Sequence, residues 1–570
     1  MLFEGGLLKI INLKCMEKIC KKCGAGFEIT EEENKFREKL SPVVGGKKYV
    51  LPEPEECESC RRQKRLTFRN ERNMVMTKCA MTGKNTLSVY PLSAPFPIYS
   101  PEAWYGDAWD PLSYGQEFDF SRPFFEQYYE LQSKVPHISN IIVRTENCDF
   151  CNTVGECKNC YLLYGSIDCE DCQYGNPFNS KNCIDSLVIR DCQFCYECMD
   201  CSNLYECFFC QDCGNSRNLW FCFDVGQNSS DCFLCVGLKH KSYCIFNKQY
   251  SKEEYEKKVA ELKKKSYPEL LKMLDDFKKT VPVRNVIGVN NENVSGDAVI
   301  NSKNCREVFY SSGCEDGVYG VQVFKTNNFL DSDYGEESSF MYENMGFYKD
   351  NGAYFSHWCW DANNIFYCSM CGNNVSDCFG CVSLLHKKYC ILNKQYTKEE
   401  YEKIFPKIIE HMEKGGEWGK YFLMNCSPFA YNKSMAQDYF PLTKAEIEKA
   451  GLKFEEETTS VKNVENIILA KDLPEIENAG DEILTSAIKC EISGRLFKLT
   501  PLELAFYRKY KLKLPVCHFE ERCKRRLAAR NGFKLFDRKC DKCGANTKTT
   551  YAPEYKGKVY CEECYLKEVY

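Results

Sequence analysis

Cysteine is the residue with chemistry to offer in this sequence. The 570 residues include 40 cysteines and only 6 histidines. Near the start, Cys20, Cys23, Cys57 and Cys60 form Cys-x2-Cys-x33-Cys-x2-Cys. Near the end, Cys540, Cys543, Cys561 and Cys564 form Cys-x2-Cys-x17-Cys-x2-Cys. Two knuckles of two thiolates supply a soft, tetrahedral donor set, which is the set zinc takes. Four protein ligands leave no open position, so at least two structural zinc ions are expected, and no catalytic one.

The elements around these cysteines repeat. CKKCGAGFEITEEENKF (20–36) aligns with CEISGRLFKLTPLELAF (490–506), so that Cys20, Phe27, Thr30, Glu33 and Phe36 match Cys490, Phe497, Thr500, Glu503 and Phe506. Thr-x-x-Glu ahead of an apolar-periodic run starts a helix in each copy. The likeness continues through 51–70 with 514–531, 77–85 with 538–546, and 96–105 with 557–566. Each terminal module thus carries two site positions, and each has one degenerate set. Cys79, Thr82, Ser100 and Ala103 stand opposite the last four-cysteine set and offer one ligand. Cys490 and Ser493 stand opposite the first, with Cys517, His518 and Cys523 nearby as a rearranged set.

Between the modules the cysteines change character. Eighteen fall from Cys148 to Cys244, in units of about ten residues with Asn, Asp or Gly between aromatic and β-branched residues. Brief strands at this spacing predict a β-solenoid, with two units to a coil of about 21 residues. The block recurs: NSKNC at 179–183 and 301–305, and SSDCFLCVGLKHKSYCIFNKQYSKEEYEK (229–257) as VSDCFGCVSLLHKKYCILNKQYTKEEYEK (375–403). The shift grows by 24 residues between these segments, read as one extra coil. Val225 stands where the copy has Cys371, which favours interior packing for most of these cysteines. One constellation is sharper. Cys232, Cys235, His240 and Cys244 recur as Cys378, Cys381, His386 and Cys390. Cys-x2-Cys-x4-His-x3-Cys is similar to the retroviral zinc knuckle, one residue short in its last gap, and that likeness implies single-stranded nucleic acid as a ligand.

Basic residues crowd both modules. Arg61, Arg62, Lys64, Arg65, Arg69 and Arg72 follow the first knuckle pair, and Arg522, Lys524, Arg525, Arg526 and Arg530 form the matching run. A net charge of -5 makes any nucleic-acid contact local, and these runs are the candidates for phosphate binding.

The expected fold is α+β and multidomain: two small zinc-ribbon-like modules flanking a duplicated Cys-rich β-solenoid with capping helices. The expected divisions are 16–115, a zinc module; 116–147, an aromatic-rich connector that docks it; 148–250, the first solenoid; 251–283, a helical insert; 284–396, the second solenoid; 397–452, a helix and loop cap; 453–484, an acidic linker; and 485–570, the last zinc module. The stretch from Met1 to Lys14 lacks the pattern of a secretory leader, and Met16 offers an alternative start. No apolar run reaches the ~20 residues of a membrane span. A reducing, cytoplasmic setting is expected.

The FRNE segment, the NKQY-(S/T)-KEEYEK segments and the closing YCEECYLKEVY resemble a family of bacterial zinc-ribbon proteins over nearly the whole chain. That resemblance implies the architecture and no reaction. Composition and motifs give no phosphate loop, nucleophile elbow, His-Glu-x-x-His or dinucleotide fingerprint. The favoured function is a non-catalytic scaffold contacting nucleic acid, RNA in first place, through the basic modules. A protein-interaction scaffold using the solenoid surface is the alternative, and a thiol redox enzyme a distant third. No small-molecule substrate is indicated.

Overall fold

The structure is a computed structural model and describes residues 15–456, 464 and 466–569. The Met1–Lys14 stretch and part of the acidic segment lie outside the described residues. Two stacked parallel sheets dominate, one running from Ile142–Val143 to Lys248–Gln249 and the other from Gly288–Val289 to Lys394–Gln395. Both are β-solenoids. Among the described residues, no helix is long and apolar enough to cross a membrane.

The coil is shorter than the sequence led us to expect. Asn152 pairs with Tyr164, and Lys303 with Glu315, so one coil takes about 12 residues, as the cross-rung bonds of twelve-residue separation repeat. What read as half a coil is a whole one, and the extra 24 residues are two coils. The cause is backbone conformation. Asn147, Phe150, Thr153, Glu156 and Asn159 have φ between 51° and 55°, and this left-handed residue recurs at nearly every third position. Each costs roughly 1 kcal/mol for a non-glycine residue, and each turns the chain a corner, so four short sides close a coil. Asn and Asp are favoured at these corners because they tolerate the conformation and bond to the next rung. Asn147 Nδ2 donates to Asn159 Oδ1 at 2.9 Å, and Asn159 Nδ2 to Asp171 Oδ1 at 3.1 Å.

The residue after each corner points inward, and in the first solenoid it is usually cysteine. Cys157, Cys195 and Cys201 are buried, and each donates its S–H to the carbonyl two residues back, at 3.1, 3.5 and 3.1 Å. Ser166 and Ser180 occupy the same inward position and make the same bond at 3.2 and 2.8 Å. A narrow bore therefore takes small side chains with a donor. Val225 and Cys371, matched between copies, are both fully buried.

Each solenoid closes at its C-terminal end. An antiparallel hairpin pairs Cys244 with Gln249, and its counterpart pairs Cys390 with Gln395. Helices Lys252–Leu262 and Lys398–Lys414 follow, each opened by the expected capping box at Ser251/Glu254 and Thr397/Glu400. The two solenoids lie side by side and antiparallel. Arg190 of the first reaches Phe324 of the second. Further along the first, Asp200 shares Arg530 with the earlier Tyr310. Further still, Asp224 lines a small cavity with Asp297.

The aromatic connector packs against the second solenoid. Phe124, Phe125, Tyr128 and Leu131 of helix Phe124–Lys134 are buried against Tyr367, Phe379 and Phe405. The segment expected to be an acidic linker carries strand Ile467–Leu469, which pairs with Ala487–Lys489.

Two histidines in this packing are held neutral. His137 stacks on Phe96 at 3.7 Å, and His357 sits 5.1 Å from both Phe68 and Phe422. Burial pushes their pKa values down to about 4 and about 3. A folded pKa below the unfolded ~6.5 adds stability that is present above pH 6.5 and lost as pH falls toward 4, by up to ~1.4 kcal/mol per unit for each ring. Burial pushes Asp185 and Asp200 up to about 6, and these acids act in the opposite direction over the same range. The readout is therefore a difference between proteins. Urea unfolding from pH 7 to 4.5 is expected to show one proton less of acid destabilisation in His357→Phe than in the parent. Identical pH slopes would contradict a buried neutral ring at this position.

Candidate metal centres and the arginine clamps

Both four-cysteine groups assemble. In each, the four sulfur atoms lie within 4.8 Å of one another, so each can hold a metal ion. The first builds on a knuckle in which Cys20 N–H donates to Ala25 O and Gly24 N–H to Cys20 O, both at 2.9 Å. Gly24 has φ of +74° and makes the turn that L side chains resist. The second pair comes from helix Glu58–Leu66, where Cys57 is the N-cap and Cys60 lies in the first turn. Cys57 N–H donates to Cys20 Sγ at 3.3 Å, and Cys23 and Cys57 sulfurs are 3.8 Å apart. The last site repeats this construction around Cys540, with Gly544 at φ +75°, Cys561 N–H on Cys540 Sγ at 3.3 Å, and Cys543 and Cys561 at 3.8 Å.

The electrostatics of the first group are those of a site waiting for positive charge. Burial opposes ionisation of Cys20, but backbone N–H groups of Cys23, Cys57 and Lys22 outweigh it and bring the thiol down to about 6. Cys540 is brought down to about 6 in the same way by Cys543, Cys561 and Lys542. Burial, and then the neighbouring cysteines, push Cys60 up. Four thiols this close cannot all ionise unless a cation joins them.

The degenerate sets keep the knuckle and lose the ligands. Around Cys79, Cys79 N–H still donates to Lys84 O and Gly83 N–H to Cys79 O, both at 2.8 Å. Around Cys490, the corresponding bonds to Arg495 O and from Gly494 are 2.8 and 3.0 Å. What changed is the helix N-cap. Cys57 caps its helix with no side-chain bond, whereas Ser100 accepts from Ala103 N–H at 3.4 Å and His518 Nδ1 from Glu520 N–H at 3.2 Å. The position that cysteine holds in one copy is an ordinary helix cap in the other. The rearranged set of Cys490, Cys517, His518 and Cys523 does not close into a group of three or more metal ligands. His518 is committed to its helix, and Cys523 is buried 3.5 Å from Tyr164 Oη in the solenoid interface.

Nor do the knuckle-like sets close, because their histidines stand apart from their cysteines. Cys232, Cys235 and Cys244 line the first bore and Cys378, Cys381 and Cys390 the second, all buried. His240 and His386 sit on exposed corners with φ of 54°. A period of three places the cysteines inward and the histidines at the turn, so the likeness to a zinc knuckle is one of spacing only.

The basic runs are the largest departure from expectation. Arg61, Arg62, Arg65, Arg69, Arg72, Arg522, Arg526 and Arg530 are all buried. Arg61 meets Asp331 at 2.8 Å, and Arg65 meets Asp333 at 2.8 Å and Glu343 at 3.1 Å. In the other module Arg522 meets Asp185 at 2.8 Å, Arg526 meets Glu197 at 2.7 Å, and Arg530 meets Asp200 at 2.8 Å. Arg72 forms two bonds of 2.7 Å with Asp438, and Arg69 lies between the rings of Tyr334 and Trp358. Arg525 pairs with Glu197, Lys64 with Glu56 and Lys524 with Glu521. Arg61, Arg65, Arg522, Arg526 and Arg530 are thus turned inward and fasten each module to a solenoid, while Arg72 joins Asp438 and Glu520.

The fastening is crossed and duplicated. The first module grips the second solenoid, and the last module grips the first. Asp185 and Glu197 correspond to Asp331 and Glu343 by the same 146-residue shift that relates the two closing segments. The acids sit at solenoid corners, where the left-handed residue points outward, and the arginines lie one helical turn apart, so one helix spans two rungs.

No protein-family model matches the chain, and no curated protein matches it. A crystal structure described as that of a "putative acetyltransferase" from Desulfovibrio desulfuricans aligns over 42 % of this chain and 65 % of its own, a little under two thirds, with 8 % identity and a TM-score of 0.11. A likeness that slight carries no argument about fold or activity.

Proposed function

We propose that this chain is a zinc-stabilised, non-catalytic scaffold whose paired solenoids offer their outer faces to a protein partner. Zinc follows from the donor chemistry: four cysteine sulfurs in a closed set suit a soft ion without geometric demands of its own. The observation that carries the reading is the burial of the arginines. The charge that favoured nucleic acid is spent inside the molecule, while the solenoid corners present regular rows of Asn and Asp to the outside. A reducing compartment such as the cytoplasm belongs to the same reading, because the four-cysteine sites need thiolates.

Nucleic acid remains the second reading on one observation. Lys534, Lys539, Lys542, Lys548, Lys556 and Lys558 around the last site are exposed. The experiment is affinity for single-stranded RNA and duplex DNA across a salt series with zinc-loaded protein. The scaffold reading predicts binding no tighter than the ~10⁻⁴–10⁻⁶ M of non-specific contact. Nanomolar binding that falls steeply with salt, and is weakened by Lys539→Glu with Lys548→Glu, would overturn it.

A further inference from the structure

Inside the first solenoid the sulfur atoms form one connected file. It begins at Cys148, half-buried on the first coil and packed against the cluster that holds Cys151 and Cys160. Midway, Cys183, Cys192, Cys195, Cys198 and Cys207 are buried together in one cluster. The cluster continues rung by rung to the end of the solenoid, where Cys232 stands in register with Cys244. Packing alone does not demand sulfur. The second bore is filled in part by Val308, Phe329 and Met341, with the same coil length. Among the described residues only the terminal sets gather three or more sulfurs within 4.8 Å of one another, so the file lacks a four-coordinate zinc site. It does offer sulfur atoms stacked at the rung spacing.

We propose that this file binds soft monovalent cations such as Cu(I), each held between two sulfurs on successive coils and admitted at Cys148. Thiolate sulfur selects Cu(I) over harder ions. Taking the ~2.3 Å of a zinc–thiolate bond as a guide, two metal–sulfur bonds in line span about 4.6 Å, close to the ~4.8 Å between neighbouring strands. The balance is simple. One of the two cysteines gives its S–H proton to solvent and the other stays a thiol, so one proton leaves for each ion taken up. The bore keeps its charge, and copper stays Cu(I).

The test is anaerobic titration of the zinc-loaded full chain with Cu(I), buffered by a chromogenic Cu(I) chelator, with copper and zinc both counted. The proposal predicts uptake of about four or more Cu(I) per chain, with zinc content unchanged and one proton released per copper. Cys195→Ser with Cys207→Ser is expected to fold, since Ser166 and Ser180 already serve at inward positions, and to take up fewer ions. Cys314→Ser, outside the file, is expected to leave uptake unchanged. Copper entering only as zinc leaves, or equal uptake by the parent and the double variant, would overturn the proposal.

Discussion

Replacing Arg65 with alanine is expected to destabilise the folded chain by about 3–5 kcal/mol, among the largest effects of any single substitution outside the metal sites. Arg65 is wholly buried, with Asp331, Asp333 and Glu343 around its guanidinium. Truncation leaves Asp333 and Glu343 desolvated with only the longer contacts of Arg62 and Arg61, at 3.5 and 3.8 Å, to balance them, while Asp331 keeps Arg61. The loss is then mainly the penalty of the stranded acids, and a companion variant separates the two terms. Arg65→Met with Asp333→Leu and Glu343→Gln removes most of the charge together and is expected to cost much less than Arg65→Ala alone. Denaturant unfolding of both variants measures this. Equal destabilisation would mean that packing, rather than charge pairing, holds the module. Arg526, between Asp185 and Glu197, is expected to behave like Arg65 because it occupies the duplicate position.

The second large effect lies at the metal. Cys540→Ser is expected to remove one zinc ion per chain and unfold the module around it. Structural zinc contributes apparent folding energy on the order of 10 kcal/mol or more in small units. Within that module the strands Phe536–Lys539 and Asn546–Thr549 form only a two-stranded sheet. Limited proteolysis is expected to cut between 534 and 558 in the variant and not in the parent. The break should stay local. Strand Lys558–Tyr560 leaves its pairing with Pro282–Arg284, while Arg522 and Arg526 keep their grip on the first solenoid. A variant that keeps both its zinc and its protease resistance would show that three sulfurs suffice.

The four-cysteine sites were legible in the sequence because each is built from two local pairs at fixed spacing, and the second pair coincides with a helix start. The capping boxes at Ser251, Thr397 and Thr500 were legible for the same reason: a contact three residues long is written in three residues. At Thr30 the hydroxyl caps the helix as expected, but Glu33 turns away to Arg306 and Tyr319 of the second solenoid. The coil length was not legible. Left-handed corners usually announce themselves with glycine, and here Phe150, Glu156, Leu162 and Tyr174 adopt them. Their conformation is fixed by rungs above and below, which no single coil encodes. The arginines misled for a related reason. Their acids lie some 270 to 340 residues away along the chain, so the run reads as surface charge until the solenoid corners come beside it. The duplication did hold a clue, since two basic runs matched two sets of acids at a constant shift.

The central claim is that two closed cysteine sites carry zinc and hold modules that clamp opposite solenoids. Native mass spectrometry of the chain as purified tests it most directly. The account predicts two zinc ions per chain, falling to one in Cys20→Ser or Cys540→Ser alone and to none when both are changed. A folded chain carrying less than one zinc ion, with a count indifferent to either substitution, would contradict it.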